Sequence, residues 1–287
     1  MKFSIITPSF KQVDWLKRCV ASVRDQASPI ISVAHIVQDG GTDGIAAIFP
    51  PADSERYSFR LFSEKDRGMY DAVNKGLRRA DGDVCAYINC DEQYLPGALE
   101  RVAAAFAADT EVDIIFADAV VTDSVGGYLC SRRVVVPQRV HTTICHLNTL
   151  TAAMFFRRRV LEQHQLFFNS EWRDLGDVVW VLEAIKAGLK MKVLRGYTTA
   201  FADTGENMNL RPNALAEGER MKNTMPVLRH FSTLWVIAHR LRKLLAGCYF
   251  EKPFAYRIYT GDDVQARKNF NVARPTSIWR GRFNWKI

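Results

Sequence analysis

The sequence lacks several features that would narrow its class at once. No two cysteines stand in CxxC spacing and no histidines and cysteines cluster, so neither a zinc site nor a disulfide framework is suggested. The six cysteines (Cys19, Cys85, Cys90, Cys130, Cys145, Cys248) are scattered and read as free thiols. No uncharged apolar run reaches the roughly 18 residues that a membrane-spanning helix needs. The opening MKFSIITPSF has neither the basic end nor the cleavage pattern of a secretory signal, and the chain is expected to be cytoplasmic. What is present is ordinary globular material: 287 residues, 48% hydrophobic and 24% charged, enough for one large domain or two unequal ones.

Charge is unevenly spread. From Arg229 to Ile287 there are twelve Lys/Arg against three Asp/Glu, whereas the preceding residues are close to neutral. This predicts a neutral body, 1–205, followed by a basic, helical extension, 206–287, that meets something anionic or another copy of the chain.

Along the body, short apolar runs alternate with helical patterns. Strands are predicted at 2–7, 32–39, 58–64, 83–89 and 112–118, and helices around Trp15–Val23, at 69–80 and at 95–109. Such a βα succession gives a mostly parallel, Rossmann-like sheet flanked by helices. An antiparallel hairpin follows at 120–136, turning at Gly126 and Gly127. A strand leading into a helix is then expected over 152–167, and a helix over 174–188.

Acidic and polar residues cluster where the predicted strands end: Asp39, Glu64, Asn89 and Asp91. Open α/β sheets bind ligands at that edge, because the strand ends and following loops converge there. A carboxylate such as Asp91 can hold a hard divalent cation that bridges two phosphates, and Asp39 can accept a hydrogen bond from a base or ribose. The plainer alternative makes Asp39 a turn residue in DGGTDG and Asp91 a cap before Leu95 and Pro96.

Taken together, ITPSF, VQDGGTDG, SEKDRGMYDAVNKGLRRADGD and the strand ending NCDE resemble the inverting family 2 glycosyltransferases of the GT-A fold, in particular the bacterial exopolysaccharide and colanic-acid type. The likeness covers about residues 1–195. It implies a metal-dependent, inverting hexosyl- or N-acetylhexosaminyltransferase that uses a nucleotide-sugar, with UDP as the expected nucleotide and Mg2+ or Mn2+ as the cation. Its acceptor would be a glycan or a lipid-linked glycan of the bacterial surface. By the same resemblance, Thr7, Pro8 and Ser9 line the nucleotide pocket and Asp39 holds the base edge, with Asp43 shaping the loop beside it. Glu64, Asp66 and Gly68 form the loop under the donor. Asn74 and Lys75 lie near the ribose or diphosphate, Asn89 beside the metal, and Asp91 on it. Asp177, in WRDLGDVVWVLEAIKAG, falls on the family's catalytic aspartate and would deprotonate the acceptor; Asp174 is the other candidate. The sequence departs from the fuller motifs at Asn89, Cys90 and Val179, which leaves a non-catalytic relative open.

Other singled-out residues read more plainly. His146 is taken as a surface or packed histidine and Cys90 as a small packed residue. Arg157–Arg159 read as a solvated face, and Trp180 as core. Trp172 could stack on a sugar. In the extension, Leu234, Ile237, Ala238, Leu241, Leu244 and Leu245 fall on one helical arc and His239, Arg240, Arg242 and Lys243 on the other. Residues 231–250 thus suit either an anionic membrane on its inner, cytoplasmic face or packing on the body, or in a homo-oligomer, with the basic face in water. Two rivals remain: a nucleotidyltransferase, against which the missing glycine after the first strand speaks, and a nucleic-acid-binding module built on the tail, against which the missing recognition motif speaks.

Overall fold

The computed structural model describes residues 1–205, 212–261 and 264–279. The boundary expected at 205/206 falls at the edge of the described residues. Arg280, Arg282 and Lys286, part of the tail's positive surplus, lie outside them.

The body runs β1 (Lys2–Ser9), α1 (Val13–Arg24), β2 (Ser32–Asp39), α2 (Ile45–Ile48), β3 (Ala52–Asp53), β4 (Tyr57–Ser63), α3 (Met69–Arg78), β5 (Val84–Tyr87), β6 (Gln93–Tyr94), α4 (Ala98–Ala108), β7 (Ile114–Thr122), β8 (Tyr128–Arg132), α5 (Arg139–Ile144), β9 (Met154–Arg157), α6 (Arg159–Glu162), α7 (Gly176–Lys186) and β10 (Met191–Ala202). The extension adds α8 (Pro212–Lys222), α9 (Pro226–His230), α10 (Ser232–Leu245), β11 (Phe254–Ile258) and β12 (Lys268–Val272). The main sheet has the order β3-β4-β2-β1-β5-β9-β7-β10-β6, with β8 paired to β7. β1, β2, β4 and β5 are parallel, as are β7 and β10, while β9 runs antiparallel between β5 and β7. This is the expected mixed α/β architecture.

β1 is nearly all buried because helices cover both faces, which is why it reads as a continuous apolar run rather than an alternation. α1 buries Leu16, Cys19 and Val23 on one side of the sheet, and α3 buries Tyr70, Val73 and Leu77 on the other. Their spacing of three and four residues gives each helix a single apolar stripe. Ahead of β5, Gly82 lies against the backbone of β1: a Cβ there would come within 2.6 Å of the Ser4 nitrogen and 2.8 Å of the Phe3 carbonyl carbon.

The extension packs on the body. Tyr256, Ile258 and Val272 of the β11–β12 hairpin join Leu95, Val120 and Ala200 in one apolar cluster. Gln93 exchanges two hydrogen bonds with the Tyr259 backbone, at 2.9 and 2.8 Å. The extension expected to be helical thus ends in a hairpin built from aromatic and β-branched residues. α10 forms as expected but faces the other way round. His239 and Lys243 are turned inward at 2% and 7% exposure, whereas Leu234, Ile237, Leu241 and Leu245 are 47–81% exposed. The reading in which the basic face stays in water is corrected: α5 receives the polar side through His141, whose ring lies 5.4 Å from both Trp235 and His239.

The arginines 157–159 are not a solvated face. Arg157 donates to the carbonyls of Val112 and Phe106 at 2.8 and 2.7 Å, and Arg159 pairs with Asp113 at 2.7 Å, so they bind the loop after α4 to β9. Trp180 is core, its Nε1 donating to the Leu166 carbonyl at 3.1 Å. Trp172 carries Arg220 over its ring at 4.7 Å.

Because the clash at Gly82 is with backbone that cannot rotate away, Gly82→Ala should destabilise the fold by about 2–3 kcal/mol, the range of a forced overpacking, read by urea unfolding. Unchanged stability would mean that the approach to β1 is looser than described.

Candidate active site

A cleft of about 1460 Å³ opens at the C-terminal ends of β1 and β5. Pro8, Ser9, Asp66, Gly68, Asn89 and Asp91 line one side, and Asp174, Asp177, Arg132 and His146 line others. Parallel register sets the floor: Ser9 pairs with Asp39, Asp39 with Ser63, and Ile6 with Tyr87, so β1, β2, β4 and β5 all end at one edge.

After β5 the chain turns sharply. The Asn89 amide donates to Glu92 Oε2 at 2.8 Å, and the Glu92 amide to the Asn89 carbonyl at 3.1 Å. This turn buries Glu92 to 1% exposure and presents Asn89 and Asp91 to the cleft. Cys90, 6% exposed at the cleft floor, is packed as expected, its thiol donating to Gln12 Oε1 at 2.8 Å. Burial raises the pKa of Asp91; Glu92 is raised by burial and by the neighbouring Asp91 charge. Glu92 is a member of the site that sequence reasoning missed, since a second acidic residue beside Asp91 gave no sign of which one would be enclosed.

Ser9 Oγ, Asn89 Oδ1 and Glu92 Oε1 are buried without hydrogen-bond partners among the described residues. Unpartnered oxygens gathered near a half-buried carboxylate are the donor set of a hard cation or of a polar ligand. Among the described residues no group of three His, Cys, Asp or Glu side chains could enclose a metal on its own. A cation at Asp91 with Asn89 would therefore need oxygen donors from its ligand, which suits a diphosphate.

Asp177 lies in the first turn of α7, where the helix dipole favours a carboxylate. Tyr70 Oη donates to Asp177 Oδ1 at 3.2 Å and the Val178 amide at 2.8 Å. Burial pushes the Asp177 pKa up to about 6, against the lowering effect of these two donors. Gly176 is required next to it: a Cβ would come within 2.6 Å of the Tyr70 ring. The turn before α7 is held from the extension. Glu217 of α8, 8% exposed, accepts from the amides of Arg173, Asp174 and Leu175 at 2.8, 3.1 and 2.9 Å. Asp174 accepts from Asn213 at 2.8 Å. Tyr70 stood in the motif SEKDRGMYDAVNKG without a role assigned to it, and Glu217 carried no signal; the partner of each lies more than 40 residues away.

Several predicted contacts are placed elsewhere. Thr7 turns into the core, its hydroxyl 3.0 Å from His35 Nε2, because position 7 faces α1 rather than the cleft. Asp39 is fully buried and spends both oxygens on its own turn, accepting from Gly41 and Thr42 amides at 2.9 and 2.6 Å and from Thr42 Oγ1 at 2.9 Å; this is the turn role weighed above. Asp43 is exposed in that loop. Glu64 pairs with Arg79 and accepts from Gln38, both at 2.9 Å, outside the cleft wall. Asn74 pins the Phe168 backbone with two hydrogen bonds, and Lys75 donates to the Lys65 carbonyl at 2.6 Å. The NKG motif thus braces the loops around the cleft. Asp66, by contrast, shapes the cleft: it accepts from the Gly68 amide at 2.8 Å.

Residues 4–169 match the profile described as Glycosyl transferase family 2. Among curated proteins, the PGL/p-HBAD biosynthesis glycosyltransferase of Mycobacterium bovis (strain BCG / Pasteur 1173P2) is 29% identical over 163 residues, 54% of this chain and 59% of its own length. The putative teichuronic acid biosynthesis glycosyltransferase TuaG of Bacillus subtilis (strain 168) is 34% identical over 100 residues, 34% of this chain and 39% of its own. The chain therefore spans 59% of the length of the first of these relatives and 39% of the second. Among solved structures, S. aureus TarS 1–349 in complex with UDP-GlcNAc superimposes with a TM-score of 0.57 at 15% identity, covering 96% of this chain and 100% of that one. The mannosyltransferase PcManGT from Pyrobaculum calidifontis, in complex with GDP-Man and Mn2+, gives 0.52 at 15% identity, covering 85% and 78%.

In a carboxyl-carbon NMR titration Asp177 should titrate near pH 6. Tyr70→Phe, which removes a donor to the charged form, should move that midpoint upward. A midpoint left in place would show that the Tyr70 hydroxyl does not stabilise the carboxylate.

Proposed function

The chain belongs to glycosyl transferase family 2, and from that premise we propose that it moves a sugar from a UDP-sugar to an acceptor hydroxyl with inversion at the anomeric carbon. The observation that carries this reading is the shared cleft of Asn89 and Asp91 at the strand edge and Asp177 on α7, two carboxylate stations on separate elements. Asp177, held by Tyr70 and the Val178 amide, would accept the acceptor's proton as its oxygen attacks the face opposite the nucleotide. Its pKa of about 6 leaves it ionised at neutral pH yet more basic than a solvated aspartate. Asp91 and the Asn89 carbonyl oxygen would hold a divalent cation, which when bound neutralises the leaving diphosphate. Ser9 and Pro8 would line the nucleotide's side of the cleft.

The relatives' names assign them to PGL/p-HBAD and teichuronic acid biosynthesis, which supports a bacterial surface glycan, lipid-linked in its growing form, as acceptor. The structure offers a physical reason for a lipid-linked substrate. No helix among the described residues is long and apolar enough to cross a membrane. Yet Val227, Phe231, Leu234, Leu241, Leu245 and Phe250 are 49–81% exposed on α9, α10 and the turn beyond. A helix with that face outward lies in the headgroup boundary of a bilayer.

Calorimetric titration with UDP and GDP, each with and without Mn2+, tests the donor site. Metal-dependent UDP binding should vanish in Asp91→Ala, while Asp177→Asn should keep UDP binding and lose turnover by about 10²-fold or more, the contribution expected of a general base. Near wild-type transfer by Asp177→Asn would remove Asp177 from the base role. On the membrane side, Leu241→Ser together with Leu245→Ser should abolish co-flotation with anionic vesicles without changing UDP affinity; undiminished flotation would remove α10 from the contact.

A further inference from the structure

One wall of the cleft is cationic in a way the sugar-transfer chemistry does not use. Arg132, at the end of β8, lines the cleft with its guanidinium 5.5 Å from the Trp279 ring, and its Nε is buried without a hydrogen-bond partner among the described residues. From behind, α10 sends Lys243 inward. It is 7% exposed, its ammonium lies 5.7 Å from the Tyr249 ring, and no carboxylate pairs with it among the described residues. His146 opens on the cleft, and its ring is 5.0 Å from that of His239, both of whose nitrogens are buried and, among the described residues, unpartnered. Arg242, on the same helix, adds a buried Nη1 without a partner among the described residues.

The neighbouring carboxylates are already occupied. Asp118 accepts from Arg195 at 2.9 Å and from the amides of Val134 and Gly196 at 2.9 and 3.1 Å. Glu251 accepts from the Tyr197 hydroxyl at 2.7 Å. Burial, then the charge of Arg132, lowers the Lys243 pKa to about 8, which still leaves it mostly protonated at neutral pH. Burial, and then flanking cations, hold His239 neutral, and desolvation within the cleft wall and the nearby Arg132 lower the pKa of His146, whose side chain is exposed on the cleft, so each offers one N–H. Buried cations without counter-charge destabilise a fold; Arg132 and His146 line the cleft and Lys243 lies buried behind them, so an anion bound at that wall would supply the missing charge.

Resting on the glycosyltransferase reading above, we propose that Arg132, His146 and Lys243 form an oxyanion subsite that takes a phosphate group carried by the acceptor. Two observations separate it from the donor's own phosphates. The donor end is built from strand-edge oxygens, Asn89 and Asp91, whereas this subsite is built from β8, α10 and the loop after α5. The helix that supplies Lys243 inside also presents Leu241, Leu244 and Leu245 outside, 43–81% exposed. A lipid phosphate would put its charge on the inner face and its chain along the outer one. Arg is suited to the bidentate part of such a contact and Lys to the point charge.

The test uses the full chain saturated with UDP and Mg2+, so that the donor site is filled, and titrates it with inorganic phosphate and with dodecyl phosphate. Phosphate binding should persist under UDP and weaken tenfold or more in Arg132→Gln and in Lys243→Met, with UDP affinity unchanged. A gain for dodecyl over inorganic phosphate that is lost in Leu241→Ser/Leu245→Ser identifies a lipid source; equal affinities identify a water-soluble phosphate at the same subsite. The ligand-free protein gives a second readout. Removing an uncompensated buried charge should raise the thermal midpoint of Lys243→Met, the opposite of what loss of a structural residue does. No phosphate binding to the UDP-loaded protein, binding indifferent to both variants, or a lowered Lys243→Met midpoint would overturn the proposal. Failure to bind UDP at all would instead overturn the donor reading, so the two failures are distinguishable.

Discussion

Parallel pairing around β1 is the constraint on which the cleft depends. Because β2, β4 and β5 run the same way as β1, their polar ends must emerge together, and no loop rearrangement can separate Ser9 from the turn that follows β5. The order of strands then leaves the other wall to β9, β7 and β10, whose connections bring in α5, α7 and the extension. The N-terminal strands thus supply the floor of the cleft with Ser9, Asn89 and Asp91, while the later elements supply Asp177, Arg132 and His146 on its other walls.

The enclosed charges divide by sign. Asp91, Glu92 and Asp177 are desolvated carboxylates whose pKa values rise, and Lys243, His146 and His239 are desolvated bases whose pKa values fall. Each shift reports free energy withheld until a partner of opposite charge arrives. A divalent cation at the first group and an anion at the second would relieve both. Strained electrostatics of this kind is where a fold gives up stability for binding.

Much of this was legible in the sequence, and the failures have physical reasons. The strands and helices of the body were readable from periodicity because each element has one buried stripe or two buried faces. The stations Asn89, Asp91 and Asp177 were readable from position at element ends together with family resemblance. Thr7, Asn74 and Lys75 were misplaced because motif residues can serve the scaffold as well as the ligand; Asn74 braces the Phe168 loop that in turn packs on Tyr70. α10 was legible as amphipathic but not in orientation, since a wheel gives two faces and not which one α5 will accept. The contacts of Glu217 and Tyr70 with the turn before α7 were not readable, because they join residues distant in sequence.

The three amides that Glu217 holds have a consequence for how signals pass through the molecule. α8 is the first helix of the extension, and its Glu217 carboxylate holds the chain at 173–175, just before α7. By thermodynamic reciprocity, any ligand that steadies α8 must be bound more tightly when the Asp177 turn is ordered, and any ligand that orders that turn must steady α8 by the same free energy. α8 and the Asp177 turn are in this sense two ends of one lever, with its pivot at a single side chain.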